Sequence, residues 1–568
     1  MMKLIPAVKK MELTGGSLAK KAVCCDTHGM DSRLVKALSR LPQAQDGVKL
    51  DIALTGGDSE GYTLRVTENA ISIAAESAAG AFYAIQTLRQ LFTQEEVPCL
   101  YIEDKPDFPH RGFYHDVTRG RIPTVETIKQ LIDDMAYYKL NSLQLYVEHV
   151  FPFAETKNLI GKTGCMTPEE MKELEAYCQE NFITFIPSLS TFGHMFEILN
   201  QPEYQHLAVL PDYEADPNFW WDRMRHHTIN PLKPESIEVV RSLISQYLPL
   251  FQNNFFNICC DETFDLDRHL ECDDPGKVYA DFVKKIIAIV REKGKDVMMW
   301  ADILLKHPEV INDIPEETVF LNWFYKVPVP EENIEKLAAM GKKQIVCPGT
   351  TTWNRFCEDV DVEEENICKM AEYGYKHGAL GVLNTNWGDW GNPCSMELGM
   401  YGMVLGAAKS WAVDTRVSDS FYESVNHLLY HGEDGIRCLK ALCKMHKSIV
   451  WRDFVRNYFS LRDSGTAECP VITADAVAQI QSAYRALRDT LENRRWELDS
   501  YRKEILSAAE GLCVVAELSA KFAGVAVERI TDTERWLKTY EGNWLARNKE
   551  SELSEMTGFI RACQQLKI

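Results

Sequence analysis

From about residue 110 to about residue 415, short apolar runs of strand length alternate with longer runs of helical periodicity. That alternation limits the folds open to the chain more than any other feature. Strands are expected at 112–117, 142–147, 184–189, 255–260, 297–300, 319–323, 344–347 and 381–384. Amphipathic stretches such as 124–139 and 167–180 lie between them. The second opens Thr167-Pro168-Glu169-Glu170, a capping threonine followed by proline at the first helical position. Eight such units predict a closed (β/α)8 barrel of the α/β class. A doubly wound open sheet is the alternative, but no GxGxxG follows the first strand.

The flanks differ in pattern. Residues 1–108 predict a small α/β domain. Tyr62, Leu64 and Val66 alternate with polar residues, Glu68-Asn69 supplies turn chemistry, and Ile71 and Ile73 resume the alternation as a hairpin. Ser77 then offers a cap to a helix carrying Phe82, Ile85, Leu88, Leu91 and Phe92. The stretch 101–109 is expected to be a proline-bearing connector into a barrel domain spanning 109–415. Beyond it, 416–568 is a helical region, with helices at 421–430, 435–452, 473–512 and 513–540 and Thr473 as a cap. Its stripe Ile480, Tyr484, Leu487 and Leu491 is expected to pack on the barrel or on a partner subunit.

Composition narrows the partners. A net charge of −21 argues against nucleic acid and anionic membranes, since phosphate contacts need a basic face. The N-terminus has no apolar signal core and no run reaches the length of a membrane span. Seventeen cysteines, an odd number scattered through apolar segments, fit free thiols in a reducing cytoplasm better than a disulfide framework. None shows zinc spacing, so neither a metal nor another cofactor is expected. Self-association stays open.

The residues flanking the expected strands are unusual in kind. Arg111 precedes the first strand, Glu148 ends the second, and Gly193-His194 follows the third. Asp261-Glu262 ends the fourth, Trp300 the fifth and Trp323 the sixth; Trp353 follows the seventh, and Trp387 and Asp389 the eighth. Most single tryptophans are core residues, but their recurrence at matching positions would line one mouth of a barrel. Indole faces pack on sugar rings while carboxylates and guanidinium groups bond ring hydroxyls, so the set suggests a carbohydrate pocket.

The chain resembles the family 20 glycoside hydrolases, the β-N-acetylhexosaminidases. The resemblance rests on Arg111-Gly112-Phe113-Tyr114-His115-Asp116, on Lys139-Leu140-Asn141-Ser142-Leu143-Gln144-Leu145, on Gly193-His194 and on Cys259-Cys260-Asp261-Glu262. It implies an exo-acting retaining hydrolase releasing terminal β-linked GlcNAc or GalNAc from glycans, in which the sugar's own acetamido oxygen is the nucleophile. Glu262 would be the general acid and then base, and Asp261 would orient the acetamide and offset the oxazolinium charge. Arg111 would clamp the C3 and C4 hydroxyls, and Asp389 would hold C4 or C6. Trp300, Trp323 and Trp387 would wall the pocket, and His194 would tune Glu262.

Some positions depart from that pattern. Cys259-Cys260 stands where the family has two glycines, Ser190 where it has an acid, and His149-Val150 where it has two aspartates. Thr350-Thr351-Thr352-Trp353 stands where a tyrosine bonds the acetamido oxygen. Two alternatives therefore remain: a retaining glycosidase with Glu148 as protein nucleophile opposite Glu262, and a sugar-binding protein without turnover.

Overall fold

The computed structural model describes residues 2–216, 219–224, 227–493 and 499–567. At its centre eight parallel strands close into a barrel in chain order: His110–Asp116, Ser142–Val147, Thr184–Leu189, Phe255–Asn257, Asp296–Trp300, Val319–Trp323, Gln344–Cys347 and Gly381–Asn386. The last pairs with the first, Gly381 opposite His110 and Asn386 opposite His115, and this closure excludes the doubly wound sheet. The strands are buried on both faces, which is why they read as nearly unbroken apolar runs rather than alternating ones.

Seven of the eight strands lie within two residues of the expected bounds. The fourth does not: it stops at Asn257, three residues early. Asn257 Oδ1 accepts from the Cys259 amide at 2.9 Å, an Asx turn that competes with the ladder. Cys259 and Cys260 then take left-handed backbone angles, φ 57° and 66°. Hydrophobicity cannot distinguish a buried turn from a buried strand.

The N-terminal domain is a six-stranded sheet backed by the helix Ala78–Phe92. The expected hairpin is present, with Leu64 opposite Ile73 and Val66 opposite Ile71. Ser77 Oγ accepts from the Gly80 amide at 3.2 Å, and Thr167 with Glu170 forms a full capping box ahead of Pro168. Burial of Phe82, Ile85, Leu88 and Leu91 contributes about 1.5–3 kcal/mol each. The expected connector is strand through Asp104, pairing with both Lys10–Ser17 and Tyr62–Val66. Its alternating burial was masked by the prolines that follow.

The C-terminal region is helical but divided differently. The helix expected over 435–452 ends at Lys447, and Trp451–Ser464 is a separate helix. The stretch expected as one helix over 473–512 holds Ala474–Glu492 and Asp499–Phe522, with 494–498 outside the described residues. No break falls at 512: Cys513–Phe522 continues the second of these, and Thr533–Arg547 follows after a non-helical stretch. The stripe Ile480, Tyr484, Leu487 and Leu491 packs within this region on Asp499–Phe522, not on the barrel. Gln481 donates to Glu517 at 2.9 Å across that contact. No helix among the described residues is long and apolar enough to cross a membrane.

Candidate active site

A cavity of about 170 Å³ opens at the C-terminal ends of the barrel strands, where barrel enzymes carry their chemistry. All four tryptophans expected there meet in it: Trp300, Trp323, Trp353 and Trp387. Trp300 is fully buried at the base, with Trp387 beside it at 5.9 Å between ring centroids. His194, Asp261, Glu262 and Asp389 share the wall.

Adjacent strand residues point to opposite faces, so Asp261 and Glu262 can serve one cavity only because the strand has ended. The turn at Cys259-Cys260 does this, and Glu262 is itself left-handed at φ 49°. Three such residues in four cost about 1–2 kcal/mol each. Side-chain contacts hold them in place: Cys259 Sγ lies 3.3 Å from Ser188 Oγ, and Cys260 Sγ 3.4 Å from Thr191 Oγ1. Opposite, Gly193 passes so near that an added Cβ would stand 2.5 Å from the Asp261 carbonyl oxygen. Only glycine admits that approach, and it seats the following His194.

His194 Nε2 lies 3.4 Å from Asp261 Oδ2 and 3.3 Å from Glu262 Oε2. These three atoms form the one grouping among the described residues close enough to hold a cation. On the far side of the ring, Arg119 Nη2 lies 3.2 Å from Nδ1. Although burial opposes charge on the ring, Asp261 and Glu262 raise its pKa to about 10, so Nε2 carries a proton and serves as a donor to the two carboxylates rather than as a metal ligand. Asp261 Oδ1 is buried with no hydrogen-bond partner among the described residues. Behind the pair, Asp302 Oδ2 accepts from the Glu262 amide at 3.0 Å. Burial, then the charges of Asp261 and Glu262, push the Asp302 pKa up to about 8.

Arg111 is not in this cavity. It is fully buried at the opposite end of its strand, where Nη1 meets Glu60 at 2.6 Å and the Phe108 carbonyl at 2.9 Å and Nε donates to the Lys139 carbonyl. Arg111 is the second residue of the strand His110–Asp116, and the start of a barrel strand lies at the barrel's N-terminal end, away from the chemistry. The cavity's guanidinium is Arg119, which sequence reasoning missed. It pairs Asp389 at 3.0 Å, Asp116 at 3.3 Å and Glu148 at 3.3 Å. The signal was available: Asp116-Val117-Thr118-Arg119 follows the first strand, the end that matters.

Glu148 stands behind the wall and not in it. Tyr146 Oη donates to it at 2.8 Å, and although burial opposes its charge, Arg119 holds its pKa down to about 2. It steadies Arg119. From that place it does not line the cavity. Asp389 is half-buried in the cavity wall, and desolvation raises its pKa to about 6 against the pull of Arg119. Two further wall residues escaped the sequence reading, Tyr325 and Met224. Tyr325 stacks on Trp323 at 5.0 Å and its hydroxyl accepts from Trp387 Nε1 at 2.8 Å. Its spacing two residues past Trp323 was the available signal.

A larger cavity, about 670 Å³, lies where the N-terminal domain, the helix Val125–Tyr137 and the C-terminal region meet. Its Arg547 is answered by Glu397 at 2.9 Å and its Arg40 by Asp133. None of its lining residues stands at the end of a barrel strand.

The chain is similar to known proteins in sequence and in fold. A β-hexosaminidase of Porphyromonas gingivalis is 30% identical over 284 residues, 43% of this chain and 36% of the relative. One from Vibrio furnissii is 24% identical over 406 residues, 62% of this chain and 63% of its own length. The chain spans 36%, 45% and 41% of the first three curated relatives it matches. Among solved structures, a chitobiase of Flavobacterium johnsoniae aligns over 96% of this chain and 99% of its own, with a TM-score of 0.63 at 16% identity. An exo β-N-acetylglucosaminidase of Vibrio harveyi, solved with N-acetylglucosamine, aligns over 75% of this chain and 76% of its own (TM-score 0.60, 21% identity). At such identities these structures speak to fold alone. The model of glycosyl hydrolase family 20, domain 2, matches residues 1–105 and that of the family's catalytic domain matches residues 108–380. On those matches, spanning the N-terminal domain and most of the barrel, the chain belongs to glycosyl hydrolase family 20.

Proposed function

We propose that this protein is an exo-acting retaining β-N-acetylhexosaminidase that uses the substrate's acetamido group as nucleophile. The observation that carries the reading is the convergence of Asp261 and Glu262 on one tryptophan-lined cavity. Glu262 gives its proton to the glycosidic oxygen while the acetamido carbonyl oxygen attacks the anomeric carbon and the leaving alcohol departs. Glu262, now a carboxylate, takes a proton from water as that water opens the oxazolinium ring. Asp261 accepts from the acetamido N–H, the donor its unpartnered Oδ1 lacks, and offsets the ring's positive charge.

Tyr325 takes the part the family resemblance gives to a tyrosine after the seventh strand. Its oxygen accepts from Trp387 at 2.8 Å, and its hydroxyl would donate to the acetamido carbonyl. Arg119 with Asp389 fixes ring hydroxyls from the far wall, the role the sequence reading had placed on Arg111. The free thiols, most of them buried, support a reducing cytoplasmic setting.

The test is a panel of aryl glycosides. The β-N-acetylglucosaminide and β-N-acetylgalactosaminide should be cleaved at least about a hundredfold faster than the β-glucoside, and Glu262→Gln should remove about 10²–10⁴-fold of that rate. Equal cleavage of the glucoside would end the case for acetamido participation. Sugar binding with no turnover in the unaltered enzyme would favour the non-catalytic reading.

A further inference from the structure

The cavity of about 670 Å³ where the N-terminal domain, the first barrel helix and the C-terminal region meet has the size of a small-molecule site, about 300–1,000 Å³, and the place such sites favour, a junction between domains. No residue lines both it and the cavity at the barrel mouth. Most of its charges are answered: Arg40 pairs Asp133, and Arg547 meets Glu397 at 2.9 Å. Two are not. Arg89, on the helix Ala78–Phe92, gives Nη1 to Gln86 Oε1 at 2.6 Å and lies 4.8 Å over the Tyr137 ring, but pairs with no carboxylate among the described residues. Burial and the nearby charge of Arg40 hold its pKa below the usual arginine value. Asp134, on the helix Val125–Tyr137, accepts from Gln130 Nε2 at 3.1 Å and pairs with no cation among the described residues. Burial, and after it the charge of Asp133, pushes its pKa up to about 7. A charge set back from water costs free energy that a partner must offset, and each of these two lacks that partner within the protein.

We propose that this cavity is a second ligand site, apart from the barrel mouth, and that it takes an anionic monosaccharide, a hexose bearing a phosphate or a carboxylate. The anion meets the forked donor edge of Arg89, which suits either group. Asp134 accepts from the ring hydroxyls, a donor that Gln130 alone does not exhaust, since a carboxylate has room for several. The half-buried rings of Phe92 and Tyr137 offer apolar surface to the C–H faces of a sugar, and Thr93 and Ser500 add hydroxyls to the wall. An inorganic anion would leave Asp134 and the rings uncovered. An uncharged sugar would leave Arg89 unanswered. The inference goes beyond the hydrolase reading and does not depend on it.

Titration calorimetry on the full chain decides it, with glucose 6-phosphate, glucuronate, inorganic phosphate and glucose as probes. One of the two anionic hexoses should bind at least about tenfold tighter than phosphate and than glucose, and the tighter of the two names the anion. Saturating N-acetylglucosamine should not displace it. Arg89→Gln and Asp134→Asn should each weaken that binding by about tenfold while circular dichroism shows the fold retained. Should Arg89→Gln fail to fold, Asp134→Asn, which keeps the shape of the side chain, carries the test alone. Four results overturn the proposal: no saturable binding of either anionic hexose, phosphate binding as tightly as the sugar phosphate, displacement by N-acetylglucosamine, or an affinity unchanged in the folded variants. The readout is binding and not turnover, so failure of the hydrolase reading and failure of this one are told apart.

Discussion

Two arginines stand at opposite ends of the first barrel strand, Arg111 at its start and Arg119 just past its finish, and they divide the labour of the molecule. Arg111, at the N-terminal end, is sealed between Tyr83 and Trp411, at 5.3 and 5.1 Å, and spends its donors on Glu60 and main-chain carbonyls. Nearby Lys139 pairs buried Asp104 at 3.0 Å, so this end of the barrel is a charged rivet to the N-terminal domain. Arg119, at the C-terminal end, faces Asp389, Asp116, Glu148 and the imidazole of His194 around an open cavity. Both are buried and both are paired. Only the end of the strand tells them apart: barrel strands converge their C-terminal loops on a ligand, and their N-terminal loops on other protein.

The largest effect that would sharpen this contrast is on stability. Arg111→Met leaves Glu60 and the main-chain carbonyls of Phe108 and Lys139 without their donor and should cost about 3–5 kcal/mol of unfolding free energy, read by denaturant titration. The turnover of the protein that remains folded should be near that of the unaltered enzyme; a collapse of kcat in folded Arg111→Met would break the division. Arg119→Gln should do the reverse, lowering kcat/KM by about a hundredfold through lost hydroxyl contacts. An Arg119→Gln enzyme with unaltered kcat/KM would place the sugar elsewhere.

Smaller is the effect of Gly193→Ala. The added methyl meets the Asp261 carbonyl, so the loop or the acid must shift, and kcat should fall by about tenfold or more. Crystallography of the variant would show which gives way. Least is a pH effect. Native Asp302 keeps a proton up to about pH 8, whereas in the unfolded chain it titrates near its ordinary 3.8. Between those values the folded state binds more protons, so this group's share of stability is present at low pH and lost as pH rises toward 8. Tm should therefore decline from pH 5 to pH 8, and Asp302→Asn should flatten that decline; an unchanged slope would mean the proton resides elsewhere.

Much of this was legible in the chain. The eight apolar runs, the caps at Ser77 and Thr167, and the four tryptophans that meet at the mouth all follow from periodicity and from short-range hydrogen bonding, which neighbours in sequence decide. The helix boundary after 447 was not legible, because the break Ser448-Ile449-Val450 is itself mostly apolar and carries the hydrophobic pattern from one helix into the next. Nor was the strand at 98–104, whose pairing partners lie in distant segments.

By itself the sequence determined the architecture and the residue types at each strand end, since hydrophobic alternation and capping are local properties. The tertiary structure alone decided that Asp261 and Glu262 face one hollow, through left-handed turns at two cysteines that composition reads as strand. It alone moved the guanidinium from Arg111 to Arg119, set Glu148 behind the wall and brought Tyr325 into it. Those choices depend on which end of a strand a side chain occupies and on what closes over it, and both are settled only when the barrel closes.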